Sequence, residues 1–203
     1  MDKKELSIFF ATSNQNKINE AKSILEPSGY KIQQLLISGN PPNFIEPKSL
    51  GIEQVAISKI SQAKRMLKNS NLSHQPILVE DSGIFINSLD GFPGARSSEV
   101  EKEIGIEGIL RMLEGVEDRR AEYRAVAIID FGNQILKSIG VWKGKISSSA
   151  SGKNGFGYDP IFIPNDSDGR TCGQMKKEEK DQLSHRNKAL NNLSRQIKSR
   201  QSE

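Results

Sequence analysis

The sequence predicts an α/β protein, because short apolar strands alternate along the chain with amphipathic helices. Residues 6–11 form a strand-like apolar run, and the next segment repeats Ile18, Ala21 and Leu25 on one helical face. Residues 50–68 form a second amphipathic segment, which a second apolar run over 76–81 follows. No internal repeat or low-complexity linker interrupts the chain. These observations favour one continuous domain over residues 1–203.

The remaining elements follow from turn residues and apolar spacing. Pro27 and Gly29 end the first helix, and Gly115 ends a later one. Ser82-Gly83 is expected to bend the chain between two consecutive strands. The other predicted elements are strand 30–37, the proline-rich loop 38–49, helix 100–113, the hairpin strands 121–131 and 134–143 joined at Gly132-Asn133, the Ser/Gly-rich stretch 147–157 and a final helix with Leu190, Leu193 and Ile197 on one face.

Composition restricts the class of protein. The chain has 203 residues, of which 35% are hydrophobic and 27% charged, as expected for a soluble globular protein. No apolar run approaches the roughly 20 residues that a membrane helix needs. The single cysteine, Cys172, excludes an internal disulfide and a cysteine zinc cluster, and it is interpreted as structural. Together these features favour a cytoplasmic protein without a membrane partner.

The net charge of +4 lies in the C-terminal segment. Residues 176–203 hold eight Lys/Arg and four Asp/Glu, whereas the preceding 175 residues hold 21 of each sign. The excess is typical of a solvated helix face, but it could also serve a polyphosphate or a nucleic acid. Nucleic-acid binding is not expected, because aromatic residues make up only 6% of the chain and are not interleaved with basic ones.

Two adjacent carboxylates, Glu80 and Asp81, end the apolar run 76–81. Carboxylates at the edge of a sheet can hold Mg²⁺ and activate water. Side chains alternate along a strand, so only one of the two faces a given site, and a second ligand must come from elsewhere. Glu46 in the proline-rich loop and Glu53 at the start of a helix are both candidates.

Three further segments carry groups that suit a nucleotide. A polar turn between the first strand and helix can cradle an anion through helix N-terminal amides, hydroxyls and a lysine. Glycines flank an aromatic ring that can stack on a base, with a carboxylate three residues later. A lysine and the Ser184-His185-Arg186 segment precede the last helix. The candidate residues are Thr12, Ser13, Asn14, Gln15, Asn16, Lys17, Phe156, Gly157, Tyr158, Asp159, Lys180, His185 and Arg186.

These segments, in this order, resemble the family of pyrophosphatases that act on noncanonical purine nucleoside triphosphates. The resemblance runs from about residue 8 to residue 190. It rests on the segments 11–17, 79–83, 155–160 and 184–186. It implies one two-lobed domain with an elongated mixed sheet, a nucleotide cleft between the lobes, and a homodimer. It also implies Mg²⁺-dependent hydrolysis of ITP, dITP or XTP to the monophosphate and pyrophosphate.

The resemblance also implies roles for individual residues. Asp81 would be the general base and a metal ligand, and Glu46 would be the second ligand. Residues 12–17 would cradle the phosphates, and Ser82 would contact the substrate. The later segments would enclose the base and phosphates, and Lys59 falls where members of the family carry a lysine.

The chain departs from the family pattern at three places. Ser13 replaces a frequent glycine, Arg96 replaces a frequent tyrosine, and the loop around Glu46 aligns poorly, so that Glu46 and Glu53 both remain candidates. Two other functions are compatible with parts of the sequence. One is a Maf-like nucleotide pyrophosphatase with another base preference, and the other is a nucleic-acid-binding protein without catalytic activity.

Overall fold

The structure, a computed structural model, describes residues 6–200 and confirms the predicted α/β class. Its six strands form one mixed sheet in the order β2-β1-β3-β4-β5-β6. The first strand pairs in parallel with β2 and β3, and the remaining neighbours are antiparallel. The elements are β1 (Leu6–Phe10), α1 (Gln15–Leu25), β2 (Tyr30–Gln34), α2 (Ile52–Leu67), β3 (Ile77–Ile86), α3 (Ser97–Met112), β4 (Arg120–Asp130), β5 (Ile135–Ile146), β6 (Phe162–Pro164), α4 (Lys177–Leu183) and α5 (His185–Arg200).

Helices cover both faces of the sheet at the end where β1 and β3 meet. Helices α1 and α5 pack on one face through residues such as Ile18 and Leu193. Helix α2 packs on the other face, where Val55 and Ala56 are fully buried. Because both faces are covered, the apolar run Ile77–Val79 in β3 is buried on both sides.

A separate core lies at the far end of the long strands β3, β4 and β5. Trp142 and Phe162 are fully buried there, with their rings edge-to-face at a centroid distance of 5.7 Å. Ile84 and Ile86 of β3 join this core, and Ile109 of α3 closes it. Cys172 is buried in the same cluster, and burial raises the pKa of its thiol. An inert buried thiol agrees with the structural role expected for it.

The expected bend at Ser82-Gly83 is wrong, because β3 runs without interruption over ten residues. Gly83 serves a close approach instead of a bend. A Cβ atom added there would lie 2.1 Å from the carbonyl oxygen of Gly94. The segment that leads into α3 therefore lies directly on β3, and only glycine leaves room for it.

The other predicted elements agree with the structure within a few residues. The structure also has a kink in α3, the strand β6 and the short helix α4. Helix α3 begins at Ser97, earlier than the predicted residue 100, and it is kinked at Gly105, where φ is 63°. The short helix α4 and the strand β6 were not expected. Within residues 6–200, none of the helices combines the length and apolarity that crossing a bilayer would require.

Candidate active site

A cavity of about 280 Å³ lies beside the middle of β3, between the turn before α1, helix α2, the start of α3 and the start of α5. It brings together residues that are up to 174 positions apart in the sequence, from Thr12 to Arg186. Nearly all of the candidates from the sequence contribute to its wall. Those present are Thr12, Ser13, Asn14, Lys17, Glu46, Asp81, Ser82, Phe156, Gly157, Tyr158, Asp159, Lys180, His185 and Arg186.

The two adjacent acids at the centre of β3 face opposite sides of the sheet, as strand alternation predicts. Glu80 faces α1 and α5, where Lys17 Nζ lies 2.6 Å and Arg186 Nε 3.2 Å from its carboxylate. Asp81 faces α2, where Lys59 Nζ lies 2.6 Å from its Oδ1. Asp81 lines the cavity, whereas Glu80 lies behind it and orders two of its cations.

Asp81 is buried but only half satisfied. Its Oδ2 atom is buried and has no hydrogen-bond partner within the described residues. Burial raises the pKa of this carboxyl and outweighs the opposing charge of Lys59. Burial would lower the pKa of Lys59, but the carboxylates of Asp81 and Glu46 keep it raised. The contact with Lys59 engages Oδ1, so the second carboxylate oxygen is left to accept a proton or a ligand.

Glu46 is the second acid of this arrangement. Its Oε1 lies 2.8 Å from Lys59 Nζ, and its Oε2 lies 3.1 Å from Lys48 Nζ. These two lysines lower the pKa of Glu46 against the raising effect of its burial. Glu53, the alternative from the sequence, instead pairs with Lys137 on β5 and does not line the cavity. Of the two candidates, only Glu46 lies beside Asp81.

A divalent cation would fit between these acids and a phosphate. Mg²⁺ is commonly bound by one or two carboxylates together with water and substrate phosphates. The free Oδ2 of Asp81 and the carboxylate of Glu46 match that set. Among residues 6–200 no group of three or more His, Cys, Asp or Glu side chains forms a metal site, so a zinc-type site finds no support there.

The turn before α1 is ordered largely by its own side chains. Asn14 Oδ1 accepts hydrogen bonds from the amides of Asn16 (2.9 Å) and Lys17 (3.3 Å), and Thr12 Oγ1 accepts one from the Asn14 amide (3.1 Å). Some of the amides that were expected to bind an anion therefore already donate to side chains of the same turn. Gln15 bonds to Asn19 instead of lining the cavity, and Asn16 lines a neighbouring one. The ammonium of Lys17 remains the main attraction for an anion.

Arg186 is the most tightly held cation of the site. It is buried, and its guanidinium lies 2.5 Å from Glu20 Oε2 and donates to Ser82 Oγ at 3.1 Å. Burial would raise the pKa of Glu80, but Arg186 and Lys17 lower it well below its usual range. Arg186 therefore joins α5, α1 and β3, so its donors are largely engaged before any ligand arrives.

The loop over residues 155–159 presents an aromatic ring to the cavity. Phe156 is 37% exposed, and Lys180 Nζ lies 4.6 Å from the centre of its ring. Asp159 is buried and accepts from the Phe156 amide at 2.8 Å and from Lys180. Asp159 lines the cavity with its Oδ2 engaged by the Phe156 amide and Lys180, and its expected contact with a base or ribose stays a prediction. Its visible effect is to fix the ring of Phe156.

His185 and Tyr158 are largely buried residues of the cavity wall. The His185 ring stacks on Tyr123 with a centroid distance of 4.7 Å and an interplanar angle of 7°. Burial lowers the pKa of His185 well below its usual value, and the nearby Arg186 charge adds to this effect. The Tyr158 hydroxyl donates to the Ser97 carbonyl at 2.8 Å and so ties the loop to α3.

The chain is similar to known proteins over nearly its whole length. The model of the Ham1 family matches residues 8–196. The chain belongs to the Ham1 family. A protein named dITP/XTP pyrophosphatase from Pyrococcus horikoshii is 43% identical over 185 residues, which are 91% of this chain and 93% of that protein. A protein of the same name from Hyperthermus butylicus is 38% identical over 191 residues, 94% of each chain.

Solved structures of Ham1 proteins have the same fold. The Staphylococcus aureus Ham1 protein superposes with a TM-score of 0.81 at 31% identity, covering 96% of this chain and 99% of that one. The Ham1 protein of Coxiella burnetii gives a TM-score of 0.78 at 32% identity, with the same coverage. The predicted family is therefore confirmed, together with the fold class.

The Ham1 cavity also contains residues that the sequence did not single out. Ser98 and Glu101 of α3 and Tyr123 of β4 line it. No sequence motif marked them, because Ser98 precedes the predicted start of the helix at residue 100, whereas Glu101 and Tyr123 lie inside a predicted helix and a predicted strand. Arg96 does not line the cavity. It pairs with Glu99 at 3.1 Å and lies 3.7 Å from Glu103 at the surface.

Proposed function

We propose that this chain hydrolyses noncanonical purine nucleoside triphosphates, such as ITP, dITP and XTP, to the nucleoside monophosphate and pyrophosphate with the help of Mg²⁺. The observation that carries the proposal is the buried, unpartnered Oδ2 of Asp81 in a cavity that also presents Lys17, Lys59 and an exposed aromatic ring. The names of the relatives from Pyrococcus horikoshii and Hyperthermus butylicus support the same activity.

The chemistry follows from the positions of the acids. Water attacks the α-phosphorus, a new P–O bond forms, and the bond between the α-phosphorus and the bridging oxygen breaks to release pyrophosphate. The Asp81 carboxylate accepts the proton of the attacking water as general base. Asp81 and Glu46 would hold Mg²⁺, which supplies charge neutralisation of the triphosphate. Lys17 and Lys59 add positive charge to the cavity.

Selectivity for a 6-keto purine has a structural basis at the start of α5. Ser184 uses its carbonyl and hydroxyl to accept the amides of Lys188 (3.0 Å) and Asn187 (3.1 Å). The first two amides of the helix, those of His185 and Arg186, remain as N-terminal donors. A 6-keto oxygen accepts from such a donor, whereas the 6-amino group of adenine cannot. A donor left unpaired in this way discriminates strongly between substrates.

The position of α5 supports this assignment because its N-terminus is pressed against the sheet. A Cβ atom added at Gly140 of β5 would lie 2.0 Å from the carbonyl oxygen of His185. Such close contact fixes the helix start relative to Phe156, whose ring would stack on the base. The side chain of Arg186 is a weaker candidate for the discriminating donor, since Glu20, Glu80 and Ser82 already engage it.

A substrate panel tests the proposal. Pyrophosphate release from ITP, XTP, dITP, GTP and ATP is measured with Mg²⁺ and with a chelator. We expect rapid release from ITP, XTP and dITP that stops with the chelator, and slow release from ATP. ATP hydrolysis as fast as ITP hydrolysis would refute the role of the α5 amides. A preference for pyrimidine nucleotides in an extended panel would instead support a Maf-like activity.

The homodimer is also part of the proposal. Light scattering during size-exclusion chromatography measures the molar mass directly, and we expect twice the 22.5 kDa of one chain. A mass of one chain at micromolar concentrations would contradict it.

A further inference from the structure

The strongest feature outside the motifs is an ion-pair chain that extends from Glu46 to the surface of α3. Glu46 Oε2 lies 3.1 Å from Lys48 Nζ, and the same ammonium lies 2.7 Å from Glu99 Oε1. The other oxygen of Glu99 accepts from Arg96 Nε at 3.1 Å. Lys48 thus lies between one carboxylate of the site and one carboxylate outside it.

The charges around Glu46 oppose its proposed role as a metal ligand. Both of its oxygens face an ammonium, since Oε1 pairs with Lys59 and Oε2 with Lys48. A divalent cation that approaches Glu46 must compete with these lysines for the same lone pairs. Each lysine has a second carboxylate at a shorter distance, Asp81 for Lys59 and Glu99 for Lys48. Asp81 lines the cavity and Glu99 does not, so of the two lysines it is Lys48 that can be drawn out of the site.

We propose that Glu99 is a positioning residue that draws Lys48 away from Glu46 and thereby frees this carboxylate for the divalent cation of the reaction. Arg96 holds the Glu99 carboxylate in place through a contact of 3.1 Å. The inference rests on the proposed function, because it assumes that Glu46 is a metal ligand.

The proposal predicts opposite effects for the two partners. In Glu99→Gln, Lys48 loses its alternative partner and stays on Glu46, so divalent-cation affinity should fall. In Lys48→Met the competing charge is absent, so affinity should equal or exceed that of the wild type. The double variant combines Glu99→Gln with Lys48→Met and has no lysine left to draw away from Glu46. Its divalent-cation affinity should therefore match that of Lys48→Met. General damage to the loop would instead weaken binding in all three variants.

The experiment titrates nucleotide-free protein with Mn²⁺ and measures the concentration of free Mn²⁺ by electron paramagnetic resonance. We expect the dissociation constant to rise about two- to fivefold in Glu99→Gln, the range of a half-exposed ion pair. Glu103→Gln is the matched control, because it removes the same charge from the same helix at a residue whose one ion-pair partner within residues 6–200 is Arg96. It should bind Mn²⁺ like the wild type.

The outcomes separate this inference from the proposed function. Equal Mn²⁺ affinity in Glu99→Gln and the wild type would overturn the inference alone. An equal loss of Mn²⁺ affinity in Glu103→Gln would also overturn it. The same holds if Glu99→Gln still lowers the affinity in the Lys48→Met background, since either result shows a long-range charge effect. A wild type that binds no Mn²⁺ and releases pyrophosphate from ITP in the presence of a chelator would overturn the metal assignment as well.

Discussion

Among single residues, Asp81 combines burial, a lysine partner on one oxygen and no partner on the other within residues 6–200. An asparagine in its place keeps the shape and an oxygen for Lys59 but cannot accept the proton of water. We expect Asp81→Asn to lower kcat by about 10²- to 10⁴-fold, the usual contribution of a general base. Binding of ITP, measured by calorimetry in the presence of Ca²⁺, should persist.

Asp130→Asn provides the control for Asp81→Asn. Asp130 is equally buried, but it pairs with Lys64 and caps the Gly132 amide at the far end of β4. Its substitution should lower stability without changing kcat. Near-normal turnover in Asp81→Asn, or an equal loss in both variants, would contradict the assignment of Asp81.

The choice between Glu46 and Glu53 is also a question about single residues. The sequence left both open, and the structure places only Glu46 next to Asp81 through the shared Lys59. Loss of a direct carboxylate ligand should cost at least the roughly tenfold in affinity that second-shell changes cost at metal sites. We therefore expect Glu46→Gln to raise the Mg²⁺ concentration for half-maximal activity by about tenfold or more.

Glu53→Gln is the matched variant, since Glu53 lies on the surface and pairs with Lys137 outside the cavity. Its Mg²⁺ dependence should equal that of the wild type. An effect of Glu53→Gln as large as that of Glu46→Gln would show that the loop rearranges when the metal binds.

At the scale of elements, β3 and the turn before α3 form one unit. The Ser97 hydroxyl donates to the Gly94 carbonyl at 2.6 Å and accepts from the Ile84 amide at 2.9 Å. The close approach of the two segments at Gly83 places the first turn of α3 in the cavity wall. The position of Ser98 and Glu101 therefore depends on a glycine of another element.

This contact predicts the result of Gly83→Ala. The added methyl group would lie 2.1 Å from a backbone oxygen, so the turn must move. Overpacking of this kind typically costs about 1–3 kcal/mol, which urea unfolding would measure. Adding Ser97→Ala removes the contact at 2.9 Å with the hydroxyl but leaves those at 2.1 and 2.8 Å with Gly94 backbone atoms, so it should not restore the free energy of unfolding. A Gly83→Ala protein as stable as the wild type would contradict this reading.

The same glycine shows why some elements were predictable and others were not. Apolar periodicity reports local burial, so α2 over 52–67 and the hairpin β4–β5 were found within a few residues. A glycine in a strand has two local interpretations, a bend or a close approach, and only the position of Gly94 decides between them. Strand β6 has three residues and α4 seven, too few for a periodic signal.

At the scale of the whole molecule, the candidate site depends on contacts between distant segments. Motifs identified Asp81, Lys17 and Arg186, because each stands in a recognisable local pattern. They could not show that Arg186 is held by Glu20 and Glu80, since those partners are 166 and 106 positions away. Nor could they show Lys48 between Glu46 and Glu99, because ion pairing across 51 positions leaves no local trace.

The buried network of charges around Glu80 and Arg186 also links stability to pH. It joins α1, β3 and α5 in the interior, next to the buried ring of His185. The pKa of His185 is lowered in the folded protein, so below about pH 6.5 the unfolded chain binds a proton that the folded protein does not. The pKa of Glu80 is also lowered, so its contribution is present above about pH 4.3 and is lost as the pH falls further.

Two stages of acid destabilisation should follow, and urea unfolding at pH 7.5, 5.5 and 3.5 separates them. Between pH 7.5 and 5.5 the free energy of unfolding should fall by about 1 kcal/mol through His185 alone. His185→Phe keeps the stacking on Tyr123 but cannot titrate, so it should abolish this first stage. His74→Gln, a substitution of the second histidine in an exposed loop, should leave the stage intact.

Glu80→Gln should lower the free energy of unfolding by about 3 kcal/mol at pH 7.5, the range for breaking a buried pair, and this difference from the wild type should shrink at pH 3.5. A first stage that persists in His185→Phe and disappears in His74→Gln would show that the network senses acid through another group.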